Sequence, residues 1–179
     1  NCREVQFEHI ADVNVKKQHT VRKSDGEAPY QGNKACFACS IGCGRMAKID
    51  PDHFSIKGKA RYSGVTGGLE YESAYAVGPM CGVQDVEAAT YASALCNEHG
   101  MDPISFGATV AAAMELFMEG AITTEQTEGH DFSFGNAEAL CWAAEVTGTA
   151  QGFGKDLGLG ALRLCEKYGH PQFARAVKG

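Results

Sequence analysis

Residues 85–120 read DVEAATYASALCNEHGMDPISFGATVAAAMELFMEG, and they carry the start and stop signals of two successive helices. Asp85 is a good N-cap, because its carboxylate can accept from the free N–H groups of a first turn. Val86, Ala89, Tyr91, Ala92 and Leu95 then recur at spacings that give one apolar stripe, and Gly100 ends the run. Asp102 repeats the cap, and Pro103 suits the first helical position, where its missing N–H costs nothing. This second helix is predicted to run to Glu119 with Gly120 beyond its end, and the small side chains within 108–113 let a neighbour approach closely. Outward from this pair, Asn136 caps a third helix from Ala137 to about Val146, and Lys155 to Tyr168 makes a fourth that Gly169 and Pro171 terminate. The fold class that follows is mainly α: a multihelical domain with an irregular, cysteine-containing loop segment at its N-terminal side.

That side lacks a helical period. Apart from a short apolar run from Val5 to Val15, residues 1–35 mix charge, Gly and Pro, and read as a lead-in segment or linker to a helical unit over 36–179. Between Ile49 and Gly68, the turn formers Asp50-Pro51-Asp52, Gly58, Gly64 and Gly67-Gly68 suggest a short hairpin. The chain opens at Asn1 and stops at Val177-Lys178-Gly179, which reads as a piece excised from something larger. Of its 179 residues, 44% are hydrophobic and 21% charged, an ordinary soluble composition that excludes disorder. No apolar stretch approaches a membrane span, and 22 acidic against 16 basic side chains argue against nucleic acid as a partner.

Eight cysteines are too few for a disulfide scaffold, and the crowding of three in one loop favours a reducing, cytoplasmic setting. Cys2, Cys81, Cys96, Cys141 and Cys165 sit singly among apolar neighbours and read as packing residues. Cys36, Cys39 and Cys43 are spaced C-x2-C-x3-C, with Gly42 and Gly44 allowing the backbone to wrap tightly, so three thiolates come within reach of one inorganic centre. Three clustered thiolates with one distant ligand suit a 4Fe-4S cluster; zinc, which usually takes separated pairs, and no metal at all are the alternatives. The fourth ligand would be Cys81, Cys96 or a residue beyond Gly179. A second constellation, Glu70-Tyr71-Glu72, places two carboxylates before a helix. Such acids are usually a solvated face, although burial could raise one for proton transfer.

Taken together, several ordered blocks resemble the tungsten-containing aldehyde:ferredoxin oxidoreductases. They are Cys36-Phe37-Ala38-Cys39-Ser40-Ile41-Gly42-Cys43-Gly44-Arg45, Glu70-Tyr71-Glu72-Ser73, Gly82-Val83-Gln84-Asp85, residues 97–105 and Ala113-Met114-Glu115-Leu116. Phe134-Gly135-Asn136-Ala137-Glu138, Gly152-Phe153-Gly154 and Tyr168-Gly169-His170-Pro171 continue the likeness, which covers residues 34–179. The resemblance implies that Cys36, Cys39 and Cys43 bind a 4Fe-4S cluster whose fourth cysteine lies in a later domain. It makes Glu72 the proton-handling carboxylate at a tungsten (or molybdenum) bis-pyranopterin. The family's D-x-x-G-L-D block contacts a pterin through its first Asp and its Leu, positions that are here Asn97 and Met101. An aldehyde would be oxidised with water to a carboxylate, and electrons would pass singly through the cluster to ferredoxin or an electron-transfer subunit. The remaining domains of the same enzyme are implied partners, and an oligomer is the expected assembly.

The chain departs from the family pattern at three of these positions. Asn97 keeps an accepting oxygen but loses the charge, so its bond to a pterin is weaker than a charge-assisted one. Met101 in place of Leu nearly conserves volume. Ser40 replaces the usual Pro, and the longer loop of residues 50–68 bears on substrate access or subunit contact. Two other readings fit the same cluster block: a reductive relative acting on aromatic acyl thioesters, and a non-enzymatic iron-sulfur electron-transfer or interaction module. His99, His130 and His170 lie near helix ends, Arg45 reads as a surface salt bridge or a charge tuning the cluster, and Trp142 with Met114, Leu116 and Met118 reads as core.

Overall fold

The computed structural model describes residues 6–177; Cys2 and Val5 lie outside the described residues. Two single-turn helices, α1 (Ile10–Val13) and α2 (Val15–Gln18), precede three strands, β1 (Tyr30–Lys34), β2 (Gly44–Lys48) and β3 (Val65–Gly67). Six helices follow: α3 (Tyr71–Ala76), α4 (Val86–His99), α5 (Pro103–Met118), α6 (Ala137–Thr149), α7 (Gly154–Leu157) and α8 (Ala161–Lys167). The fold is mainly helical with one small antiparallel sheet in the order β1-β2-β3. The three predicted caps form. Asp85 accepts from the N–H groups of Glu87 and Ala88 at 2.9 and 3.0 Å, Asp102 from that of Ser105 at 2.8 Å, and Asn136 from that of Ala139 at 3.1 Å.

The sheet is where the chain differs most from its sequence pattern. Residues 30–34, expected as loop, are an edge strand whose Lys34 lies opposite Gly44, so the cysteine run is the tip of a β1–β2 hairpin. Tyr30-Gln31-Gly32-Asn33-Lys34 shows no alternation of apolar and polar residues, and only its pairing with β2 makes it a strand. The hairpin expected within 49–68 is wider than predicted: β2 and β3 pair across it, with Met46 opposite Gly67. Between them the chain turns repeatedly and is pinned to the helices. His53 links the hydroxyl of Ser55 (2.8 Å) to the carboxylate of Asp85 (3.0 Å), and Lys59 donates to the hydroxyl of Tyr91 at 2.9 Å. The lead-in is tied down as well, because Arg22 donates to the carbonyl of Lys48 at 2.8 Å and to Glu87 at 3.3 Å.

Helix α4 was read as having one apolar stripe, but Ala88 through Cys96 are all buried. Its Ala, Ser and Thr side chains are small enough for neighbours to close in on every side, which makes it the central helix. Small residues do the same on α5: a Cβ on Gly107 would stand 2.4 Å from the carbonyl oxygen of Ala76 on α3. The predicted fourth helix is broken into α7 and α8 by Gly158-Leu159-Gly160, where Gly160 adopts φ +82°. Of the residues grouped as core, Met114 and Leu116 are buried, Trp142 is half-buried between the rings of His130 and Phe153, and Met118 is exposed.

Four carboxylates in this framework are held below their ordinary range. Arg22 holds Asp25 at about 2 through a hydrogen bond. The hydroxyl of Ser24 and the N–H of Asp52 lower Asp50. Burial acts to raise Asp85 and Asp102, but His53 and the cap N–H groups outweigh it for Asp85, and Ser105 with the cap does so for Asp102. A lowered folded-state value means that the unfolded chain binds more protons in the acid range, so stability is present above about pH 4 and is lost as pH falls toward 2. Thermal midpoints measured from pH 6 down to pH 2 are expected to fall over that window, and Asp85→Asn is expected to flatten the profile.

Candidate functional site

The cysteine loop, residues 35–43, is closed at its neck by Lys34 and Gly44, which approach so tightly that a Cβ on Gly44 would lie 2.6 Å from the carbonyl oxygen of Lys34. Within the loop Ala38 and Gly42 take left-handed φ values of +58° and +57°, and the N–H of Cys39 donates to the carbonyl of Cys36 at 3.0 Å. Backbone N–H groups of Gly42 and Ile41 are directed at the Cys39 sulfur and draw its pKa down, the thiolate being favoured by donors aimed at it. Cys36 and Cys39 are exposed, Cys43 is half-buried, and all three are free thiols. Between them Phe37 (103% exposed) and Ile41 (82%) project into solvent. Arg45 folds back to donate to the carbonyl of Cys43 and makes no ion pair among the described residues, so it is not the surface salt bridge that its charge suggested.

Beside the loop lies an open cleft of about 550 Å³. Cys36 and Arg45 from the hairpin, Gly67, Gly68 and Glu70 from the β3–α3 turn, and Asn97 and Glu98 from the end of α4 line it. The tertiary fold thus brings Cys36 and Asn97, far apart in sequence, to the lining of one cleft. Two close approaches shape it: the N–H of Gly68 donates to the carbonyl of Arg45 at 2.6 Å, and a Cβ on Gly67 would sit 3.7 Å from the side-chain nitrogen of Asn97. The carboxylate of Glu70 accepts from the Cys36 thiol at 3.8 Å. Glu70 and Glu98 are the site residues that sequence reasoning passed over or undervalued. The only signal for Glu70 was its place in the Glu70-Tyr71-Glu72 pair.

Glu72 and Met101 stand outside this cleft lining. Glu72 is exposed on the first turn of α3, outside the cleft lining. Met101 follows the left-handed Gly100 and opens on a separate, smaller cleft with Asp102, Ser105 and Gly160, while packing against the core. Cys81 and Cys96, considered as fourth ligands, are completely buried. Cys81 donates to the carbonyls of Ala76 and Gly107, and burial pushes both thiols up to about 12. They are packing residues, as are Cys141 and Cys165.

Among the described residues no three His, Cys, Asp or Glu side chains gather closely enough to hold one metal ion. In a 4Fe-4S cube each cysteine meets a different iron, so three free thiols spread over one loop, with N–H groups turned toward the sulfur of Cys39, have the right donor chemistry. The helical unit thus presents a thiol-rich hairpin beside a polar cleft. The family model described as "Aldehyde ferredoxin oxidoreductase, domains 2 & 3" matches residues 1–179, and the chain belongs to that family.

Its similarity to individual relatives agrees. The chain is 40% identical over 147 residues to the tungsten-containing aldehyde ferredoxin oxidoreductase of Pyrococcus furiosus, and 39% identical over 147 residues to that of Thermococcus kodakarensis. Each match covers 82% of this chain and 22% of the relative. A more distant likeness, 26% over 137 residues, joins it to an aliphatic sulfonate oxidoreductase, WOR-like subunit, of Pyrococcus furiosus, covering 74% of this chain and 20% of that protein. The chain therefore spans about a fifth of the length of the curated relatives it matches, and no helix among its described residues is long and apolar enough to cross a membrane.

Proposed function

We propose that this chain is the cluster-bearing part of an enzyme that oxidises aldehydes to carboxylic acids and passes the electrons to ferredoxin or an electron-transfer subunit. The observation that supports this most is that Cys36 and Asn97 line the same cleft, because it sets the proposed cluster loop beside the proposed pterin contact. When bound, a tungsten (or molybdenum) bis-pyranopterin supplies the two-electron chemistry and a 4Fe-4S cluster the one-electron transfers. Cys36, Cys39 and Cys43 hold three of the irons as thiolates, and a fourth ligand comes from another part of the same enzyme. Asn97 and Met101 would contact the pterin, Asn97 through a hydrogen bond from the end of α4 and Met101 from the turn that follows it. Residues 36–179 carry these contacts, and residues 1–35 lead into them.

Glu72 in this reading moves the proton, from a turn whose position is set by the start of α3. Proton transfer by a placed side chain contributes about 100-fold or more to rate. Glu72→Gln in the full-length protein is expected to keep iron and tungsten at wild-type content while aldehyde-dependent dye reduction drops by about that factor. Undiminished turnover would remove the role. The wider proposal is tested by metal analysis of the full-length protein purified without oxygen. Iron with tungsten or molybdenum supports it, whereas iron alone assigns the chain to an electron-transfer module.

A further inference from the structure

The charged groups around the cluster loop are unequally compensated. Lys34, Arg45, Glu70 and Glu98 all line the cleft. The guanidinium of Arg45 is occupied by the loop carbonyl of Cys43. Glu98 is offset by Arg61 at 3.2 Å and accepts from the Tyr62 hydroxyl at 2.9 Å. Glu70, by contrast, makes no ion pair among the described residues: as the N-cap of α3 its carboxylate accepts from the backbone N–H of Ser73, and it also meets the sulfur of Cys36 at 3.8 Å. Its backbone is fixed: the Glu70 N–H donates to the buried Ser73 hydroxyl at 2.9 Å, and Gly68, two residues earlier, is bonded to Arg45 at the exit of the loop. The carboxylate is therefore carried by a turn stitched to the same hairpin that carries the thiols.

We propose that Glu70 sets the reduction potential of the cluster, its negative charge against Cys36, which no cation pairs, making the reduced state harder to reach and so holding the potential low. This rests on the reading of Cys36, Cys39 and Cys43 as cluster ligands. Adding an electron to a cluster raises its negative charge, and a carboxylate on the sulfur side opposes that by direct Coulomb repulsion. The local charge and the bonds to the sulfurs are established determinants of such potentials. A low potential favours release of the electron to an acceptor. Glu70 acts here through its neighbour and touches no reacting atom, so its effect is separable from that of Glu72.

The test is a redox titration of the full-length protein, prepared without oxygen, following the visible absorbance and the electron paramagnetic resonance signal of the reduced cluster. Glu70→Gln is isosteric and removes the charge; it is expected to raise the midpoint potential with iron content unchanged. Glu98→Gln, whose charge is already offset by Arg61, is expected to move it less. An unmoved potential in E70Q, or equal shifts in the two variants, would overturn the assignment, and so would loss of iron from E70Q, which would make Glu70 an assembly residue instead. A wild-type protein with no iron would sink the cluster reading itself, an outcome distinct from all of these.

Discussion

Cys39→Ser in the full-length protein is expected to abolish the visible absorbance of the cluster and remove most of the iron, while Cys165→Ser leaves both in place. The two substitutions are chemically identical and differ only in setting. Cys39 is exposed on the hairpin tip, with backbone N–H groups of Gly42 and Ile41 favouring its thiolate. A serine hydroxyl there is a hard donor that stays protonated at neutral pH and replaces a soft thiolate poorly. Cys165 is buried on α8 itself, where burial raises its pKa and its work is to fill space. Its replacement inserts a hydroxyl into an apolar site at a cost of about 1–3 kcal/mol, which appears in the unfolding midpoint and not in the iron content. Iron and absorbance per chain, read beside thermal unfolding, separate the two effects. Equal iron loss in both variants would count against the ligand assignment.

Gly107→Ala is expected to give a large loss of stability from the smallest change of side chain. The added Cβ would stand 2.4 Å from the carbonyl oxygen, 2.5 Å from the carbonyl carbon and 2.9 Å from the Cβ of Ala76. None of these atoms belongs to a flexible side chain, so α3 and α5 must separate. Overpacking of this kind costs about 3 kcal/mol at the upper end of its usual range, offset by about 1 kcal/mol from the better helix propensity of alanine. The net cost of about 2 kcal/mol corresponds to a fall of about 4–8 °C in the thermal midpoint for a chain of this size. Gly64→Ala is the comparison, since nothing lies within 4 Å of the added atom and the backbone there is ordinary. If the two variants melt together, the close helix contact is not what Gly107 provides.

The parts of the fold that were legible before the structure are those written in local chemistry. Asp85, Asp102 and Asn136 announce helix starts because a cap acts on N–H groups only two or three residues away. Gly100 announces an end because a left-handed residue is needed there, and it adopts φ +68°. The break between α7 and α8 was missed although Gly158 and Gly160 are both visible, because a helical run tolerates glycine until tertiary packing gives it another conformation to adopt. Strand β1 left no trace at all. Its residues lack alternation, and their backbone groups are satisfied by β2 on the far side of the cysteine loop.

By itself, the sequence determined the helical class, the thiol trio of Cys36, Cys39 and Cys43, and the family blocks that matched in order. Each depends on spacing within one short segment, which the chain carries whether or not it is folded. Only the tertiary structure decided that Asn97 lines the same cleft as Cys36, that Met101 lines a different one, that Cys81 and Cys96 are sealed in the core, and that Glu70 meets the Cys36 sulfur. Those relations join segments separated by a sheet pairing and a helix, and their distances are fixed by which surfaces must leave water together, a condition on the whole chain that no local motif encodes.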